Sequence, residues 1–515
     1  MSLLSSNTQR RTNLVILSLL LILTISVRIA FWLTTNTTLE DAIITFKYAE
    51  NLAQGNGFVY NLGEHVLGST TPLWTIILGA LKSVTNFDII ASSKVLGIVF
   101  DCSTIAILYF TLIKISNRSI AIFFALLFCT NPDIIMICTS GMETSLLLLG
   151  MAFGIFGLIW KNSFFGFGLA IALLTRIDAA IFMGCMLASA IIIEKKWALK
   201  EFILILFLAL PWFIFSLYYF GNLLPQSLLA KSTVYHQEIA LSASSFIGMF
   251  TPFNNKNNLK ILLNSTLFLF LCAGIVQISK KHKTFIPLIF FFIVYCLIFS
   301  VSGILIFRWY LIPPIFISIL IVAFGFDWLT KTVQAKFKSK YLQMAVSLIA
   351  LLLVASNLFI TYHRLDKYKQ LQGLEDVLRK EIGLWLKQNI QPGSSVLLEP
   401  IGYIGYYAGT KINIMDEIGI VTPQIAEYRK TYTGWYCKAI EGLHPDYIIQ
   451  YKFSLDANMS EGTSTQLFET EDQEKWFFEN YQIIKSFKAI NSYPIIEEKE
   501  KEYVLLKKIY NSIVR

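Results

Sequence analysis

Residues 10–33 read RRTNLVILSLLLILTISVRIAFWL: two arginines, then a run from Asn13 to Leu33 whose only charge is Arg28. A helix of about 20 such residues is what a hydrocarbon core ~30 Å thick requires. The run is long and no small-residue cleavage site follows it, which favours a retained first span over a removable signal peptide. Similar runs recur at about 91–113, 119–137, 144–160, 163–175, 179–193, 201–220, 259–279, 285–303, 309–327 and 341–361. They stop at Tyr362. The sequence therefore predicts a polytopic α-helical membrane protein of about 11 transmembrane helices.

Composition agrees. The 515 residues are 55% hydrophobic and 15% charged, against about 25% charged in an ordinary soluble chain; mean hydropathy is +0.59. The net charge of +9 follows topology rather than nucleic acid. Arg10 and Arg11, Lys114 and Arg118, Lys161, Lys195 to Lys200, Lys280 to Lys283 and Lys331 to Lys340 all fall on alternate junctions between spans. Cytoplasmic loops carry such excess Lys and Arg, so the N-terminus is expected inside and the C-terminal segment outside. Of seven cysteines only Cys437 lies in that segment, too few for an internal disulfide there.

Three segments are too polar to be simple connections: Thr34 to about Ile90, Gly221 to Asn258, and everything after Ile360. In the first, EDAIITFKYAENLAQ (40–54) sets Ile43, Phe46, Ala49 and Ala53 on one helical face, the pattern of a helix lying in the membrane interface. Pro72 opens a second short apolar helix to about Leu81. The last segment reads as α/β: a helix at about 365–389, strands at 395–398, 412–415 and 447–450, and a glycine-aromatic turn or short helix at 402–409. The expected organisation is a transmembrane module over 1–361, containing the first outer loop at 34–90, and an extracytoplasmic α/β domain over 362–515 with a core of its own.

No HExxH, CxxC, P-loop or strand-linked GxGxxG is present, so neither metal nor nucleotide cofactor is implied. The candidate chemistry lies in ionisable residues at the outer ends of spans. Glu40 and Asp41 are adjacent. Thr37-x-x-Glu40 has capping-box spacing, with Asp41 favoured in the first helical turn; the pair can equally be a carboxylate site able to take a proton from a hydroxyl. Glu143 in SGMETSLL reads as a solvated loop acid or a site acid. Arg176 and Asp178 in LLTRIDAAIF read as an ion pair at a span end or as a phosphate grip, since Arg offers two parallel donors. Lys231 in GNLLPQSLLAK and Arg308 in FRWYLIPP carry the same pair of readings. Asp101, inside the second span, needs a partner such as Lys94 or Arg28.

The stretch LEDAIITFKYAENLAQGNGFVYNLGEHVLGSTTPLW (39–74) resembles the first outer loop of bacterial GT-C glycosyltransferases, closest to the arabinofuranosyltransferase-like branch. GMETSLL, LLTRIDA, GNLLPQSLLAK, RWYLIPP and IGYIGYYAGTKINIMDEIGIVTPQIA follow in the same order, so the resemblance covers about residues 14–427. It departs at Glu40, where the family commonly has Asp, and at Lys47, where it commonly has Arg. The resemblance implies an inverting transferase in the bacterial inner membrane that uses a polyprenyl-phosphate-sugar donor and a glycan, lipid or protein acceptor. Asp41 would be the base, beside Glu40, with Glu143 positioning substrate or an active-site base. Lys47, Arg176 with Asp178, Lys231 and Arg308 would serve substrate and departing phosphate. A transporter or flippase for a lipid-linked sugar is the rival, and would place ionisable groups near mid-membrane. A non-catalytic scaffold that binds through its tail is a third reading.

Overall fold

The computed structural model describes residues 7–235, 238–250, 258–337, 340–456, 467–489 and 493–509. Lys338 of the basic series, residues 251–257 of the second loop and residues 457–466, 490–492 and 510–515 of the tail lie outside the described residues. Helix α1 (Asn7–Thr35) is followed by α2 (Glu40–Ala53) and α3 (Pro72–Thr85), the two helices expected in the first loop, and by α4 (Ile89–Ile115). The next span is bent: α5 (Arg118–Thr130) and α6 (Pro132–Cys138) meet at 60°. Asn131 makes the corner, its side chain accepting from Asp133 N and Ile134 N at the start of α6, where helix donors otherwise lack partners. Three apolar helices follow, α7 (Thr144–Trp160), α8 (Phe164–Thr175) and α9 (Ala179–Ile193), then α10 (Lys195–Phe220), α11 (Gln226–Val234) and α12 (Ile239–Phe250). Helices α13 (Asn258–Lys281), α14 (Ile286–Val301, carried to 19 residues by the 3-10 turn Lys283–Phe285 before it), α15 (Arg308–Phe337) and α16 (Lys340–Leu374) complete the apolar region.

Each of the eleven predicted spans is helical. Among the described residues seven helices are long and apolar enough to cross a membrane, or eight with the bent pair. Helices α7, α8 and α9 have 17, 12 and 15 residues, or about 26, 18 and 22 Å at 1.5 Å per residue, short of a ~30 Å core. Their ends are set locally: Lys161 turns left-handed after α7, with φ 49°, and Arg176 is extended after α8. The chain is a multi-pass helical membrane protein with a C-terminal mixed α/β region.

Two compact units are formed. The first comprises Met1–Thr34, Ser93–Trp212 and His236–Leu365; the second comprises Thr35–Ser92, Phe213–Tyr235 and Asp366–Arg515. In the first, α13 and α15 cross at glycines. A Cβ on Gly274 would lie 1.9 Å from Ile321 O, and one on Gly325 would lie 1.8 Å from Phe270 O, so only glycine allows this approach. Asp101 finds its partner in Arg28, whose Nε donates to Oδ2 at 2.5 Å with both side chains fully buried.

The second unit is built on a sheet. After α17 (Lys380–Asn389) come β1 (Ser395–Leu398), α18 (Ile401–Tyr407), β2 (Asn413–Asp416), α19 (Pro423–Thr431), α20 (Trp435–Leu443) and β3 (Tyr447–Tyr451). Two short helices, α21 (Lys452–Asp456) and α22 (Glu471–Asn480), precede β4 (Tyr481–Lys488) and β5 (Glu502–Lys508). The order is β2-β1-β3-β5-β4, parallel across β2-β1-β3 and antiparallel across β3-β5-β4. Leu397, Ile425, Tyr436, Ile440, Ile448, Val504 and Leu506 form a core on one side.

The first loop closes this sheet at the β2 edge. Asn61 Nδ2 donates to Ile414 O at 2.9 Å, and Ile414 N donates to Asn61 Oδ1 at 3.0 Å. One side chain thus pairs both backbone groups of an edge residue, which would otherwise need water or another strand. Tyr60 Oη donates to Ile401 O at 2.7 Å. The compact units therefore divide the chain differently from the expected segments 1–361 and 362–515: residues 35–92 belong with the sheet.

Candidate active site

Within the second unit the N-terminus of α2 carries Glu40 and Asp41. Leu39 is the N-cap, extended at φ −81° and ψ 146°, with no side-chain cap bond, so the expected capping box is not formed. Glu40 instead accepts from Gly402 N and from Tyr403 N, tying α2 to α18. Burial raises the Glu40 carboxyl well above the usual range, and Glu375 adds to this, while Arg379 and the two backbone donors oppose it. Asp41 is differently placed. Lys231 on α11 donates to its Oδ2 at 2.6 Å, and the two side chains are 29% and 21% exposed. This part-exposed pair sets a carboxylate and an ammonium side by side.

Lys47, expected on a phosphate, has its ammonium on Gly405 O at 2.8 Å and over the Tyr60 ring at 4.2 Å. Its side chain is buried, and burial pushes the amine down to about 7. Around β1 and β2 lie three acids the sequence reading passed over. Asp416 is buried and accepts from the backbone N–H groups of Ile420, Val421 and Thr422. Burial raises Glu417 to about 7, and it accepts from Gln450 Nε2 at 2.7 Å. Glu399 is pushed well above the carboxylate range by burial, then by Asp416, Glu40 and Glu417, and its Oε2 has no hydrogen-bond partner among the described residues. The run DEIGIVT (416–422) carried the signal for Asp416, an acid followed by a glycine turn.

In the first unit, Arg176, Asp178 and Glu143 come together. Arg176 Nε and Nη2 donate to the two oxygens of Asp178 at 3.0 and 2.7 Å, Nη1 donates to Trp309 O at 3.1 Å, and Glu143 Oε1 lies 3.7 Å away. Tyr295 Oη donates to Asp178 Oδ2 at 2.8 Å. Arg176 and Glu143 are each 5% exposed. The guanidinium thus forms a two-bond ion pair with Asp178. Arg308 Nη1 lies 3.4 Å from Asp133 Oδ1, and Arg364 Nη1 donates to the same oxygen at 2.7 Å. Asp133, inside the predicted span 119–137, and Arg364, just past the last span, went unremarked in the sequence. Among the described residues no three His, Cys, Asp or Glu side chains converge so as to hold a metal ion.

Over 95% of this chain, the structure matches that of ArnT from Cupriavidus metallidurans bound to undecaprenyl phosphate, covering 98% of it at a TM-score of 0.57 and 9% identity. The fold is that of the GT-C membrane glycosyltransferases. Archaeal oligosaccharyltransferase AglB from Archaeoglobus fulgidus, in complex with an inhibitory peptide and a dolichol-phosphate, shares this GT-C fold over 86% of the present chain and 70% of its own, with TM-score 0.58 and 10% identity. Arabinofuranosyltransferase AftD from mycobacteria matches 98% of this chain with 40% of its own, with TM-score 0.57 and 13% identity. By sequence, 220 residues are 26% identical to terminal β-(1→2)-arabinofuranosyltransferase of Mycobacterium tuberculosis, 37% of this chain and 34% of the relative. The chain thus matches about a third of that relative's length. Residues 363–506 match a family model described as a domain of unknown function, DUF8728.

Proposed function

We propose that this chain is an inverting glycosyltransferase that moves a sugar from a polyprenyl-phosphate donor to an extracytoplasmic glycan, lipid or protein acceptor. The Asp41–Lys231 pair carries the reading. The acceptor oxygen bonds to the anomeric carbon as the bond from that carbon to the phosphate oxygen breaks. The bonding pair leaves with the phosphate, and the hydroxyl proton passes to Asp41. Lys231 then compensates the phosphate charge, so no acid has to protonate the leaving group. An in-line displacement sets base and leaving group on opposite sides of the carbon, which requires the ion pair to open when donor binds.

The other candidates take supporting parts. Glu40 anchors α2 through Gly402 and Tyr403, and Lys47 does so through Gly405. Arg176 holds Asp178 and lies near Glu143, which positions substrate; Arg308, part exposed beside Asp133, is a further cation for the departing phosphate. The tail binds the acceptor. A cleft of about 410 Å³ lined by Glu50, Lys387, Tyr406, Tyr407 and Lys411 offers aromatic faces and hydrogen-bonding groups of the kind that orient a polar ligand. The basic junctions support an N-terminus in the cytoplasm and a tail outside.

The GT-C fold and the 26% identical segment support a lipid-phosphate-sugar donor, with a pentose favoured by that relative's name. Incubating the purified protein with polyprenyl-phosphate pentoses and hexoses should consume one donor and release polyprenyl phosphate. Translocation of a lipid-linked sugar across reconstituted bilayers without donor consumption would establish the flippase reading instead.

A further inference from the structure

Lys231 is carried on α11, a helix of 9 residues. A helix so short is marginal by itself, and tertiary contacts decide where it lies. Apolar packing holds only part of it: Ser227 and Ala230 are buried and α19 packs alongside, whereas Leu228 and Leu229 are exposed. Polar ties gather at its first residue. Gln226 N donates to Leu67 O of the first loop at 2.8 Å, and Gln226 Nε2 donates to Gly419 O, in the turn after β2, at 3.2 Å. Pro225 supplies no side-chain cap, so the Gln226 N–H would otherwise be among the unpaired donors of a helix start.

The carbonyl that receives the Gln226 amide is itself fixed. Gly419 has φ 89°, and a Cβ there would lie 2.7 Å from Ala426 N, a backbone conformation and an approach open to glycine. Asp416 accepts from the N–H groups of Ile420, Val421 and Thr422 at 2.6, 2.9 and 2.9 Å, and its own N–H donates to Thr422 Oγ1 at 3.0 Å. The first loop lies against the same turn, since a Cβ on Gly68 would stand 3.0 Å from Ile420 O. Leu67 O and Gly419 O therefore make a two-point seat for Gln226. Lys231 follows in the same helix, roughly 7.5 Å along its axis at 1.5 Å per residue, and reaches Asp41.

We propose that Gln226 is a positioning residue for Lys231, and that the 416–422 turn of the tail holds it in place. This rests on the phosphate-compensating role given to Lys231 above. The amide on Gly419 O sets the rotation of α11 and so the side on which the ammonium meets Asp41. When the ion pair opens for the donor, the lysine side chain moves over a seated helix. The tail thereby acts on the donor side of the transfer.

The test is a double-mutant cycle on the full-length protein in detergent, using the polyprenyl-phosphate sugar that the wild type consumes. Gln226→Met keeps the length of the side chain and removes the donor. It should lower kcat about fivefold, the weight of one neutral hydrogen bond, and leave the KM for acceptor unchanged. Added to Lys231→Met it should bring no further loss, because nothing is left to position. The same proportional loss in both backgrounds, or full kcat in Gln226→Met, overturns the proposal. Placement is also read without activity, from Asp41→Cys and Lys231→Cys in one chain joined by a short thiol cross-linker. Gln226→Met should slow that joining, and an unchanged rate overturns the proposal. Wild-type turnover in Lys231→Met alone overturns the role given to the lysine, whereas slowed joining in Gln226→Met upholds the seat, so the two failures are told apart. Should Gln226→Met not fold, Gln226→Asn, one methylene shorter, goes through the same measurements.

Discussion

Lys231 and Asp41, 190 residues apart in sequence, meet at 2.6 Å on two helices of the same compact unit. The contact sets a carboxylate within hydrogen-bond reach of an ammonium. The partial exposure of both leaves them room to separate.

Asp41→Asn keeps the size of the side chain and an oxygen for Lys231, so folding should be preserved. It cannot accept a proton as a carboxylate does, and turnover with a matched donor should fall on the order of 10²- to 10⁴-fold. Near-normal turnover would remove the base assignment. Lys231→Met should lower turnover as well, with a weaker response to donor concentration than the wild type.

Glu40 should behave as a structural tie. Replacing it by Ala leaves the N–H groups of Gly402 and Tyr403 without their acceptor, a loss of about 1–3 kcal/mol where those groups stay dry. Glu40→Gln retains a carbonyl oxygen and should lose less. Thermal unfolding of the two variants in detergent checks the order, and a larger loss for Gln than for Ala would contradict it.

Arg176→Gln strips Asp178 and Glu143 of their buried cation. Removing one partner of a buried pair costs about 3–5 kcal/mol, so low yield and a lowered Tm are expected. Arg176→Lys should recover only part of this, because an ammonium cannot reproduce the two parallel bonds to Asp178. Wild-type stability in either variant would show that the cluster is not structural.

Lys47 gives a pH signature. Its folded amine titrates near 7 because it is buried, and an unfolded lysine titrates near 10.4. Between these values the unfolded chain holds the extra proton, so wild-type stability should rise with pH, by at most about 1.4 kcal/mol per unit. The Gly405 carbonyl and Tyr60 ring favour the charged form and reduce the slope. Lys47→Met lacks the titration, so the Tm difference between wild type and variant should change across pH 7 to 10 and stay flat below 7.

Orientation is checked with a cysteine placed at Asn56, an exposed residue after α2. An impermeant thiol reagent should label it in intact cells. Protection there would reverse the assignment drawn from the basic junctions.

The elements legible in the sequence were those with strong local signals. Apolar length marked the long helices, Pro72 marked the start of α3, and β1 was read residue for residue from SVLL between turn residues. Strands β4 and β5 were missed. YQIIKSFK lies on a sheet edge with Ile483 and Ile484 exposed, so it lacks clean alternation, and EYVLLKK carries a short, continuously buried run from Tyr503 to Leu506 that periodicity alone does not assign to a strand. At the site, Asp41 was legible because it stands with Glu40 at the start of an amphipathic helix. Its pairing with Lys231 was not, since nothing local to either residue specifies the other. The same limit hid Asn61 as the cover for β2 and Asp133 as the partner of two arginines.

The seam between Tyr60 and Ile401 also sets an order of events during synthesis. The two residues are separated by 341 positions, which at roughly 5–20 residues per second is about 17–70 s of translation. Throughout that interval α2, Tyr60 and Asn61 have left the ribosome without the strand and helix that complete them. The nascent first loop must therefore be kept from premature pairing until the last quarter of the chain emerges. A ribosome stalled before β1 would yield a protein with its spans in place and its candidate base already made, yet with no sheet to hold that base.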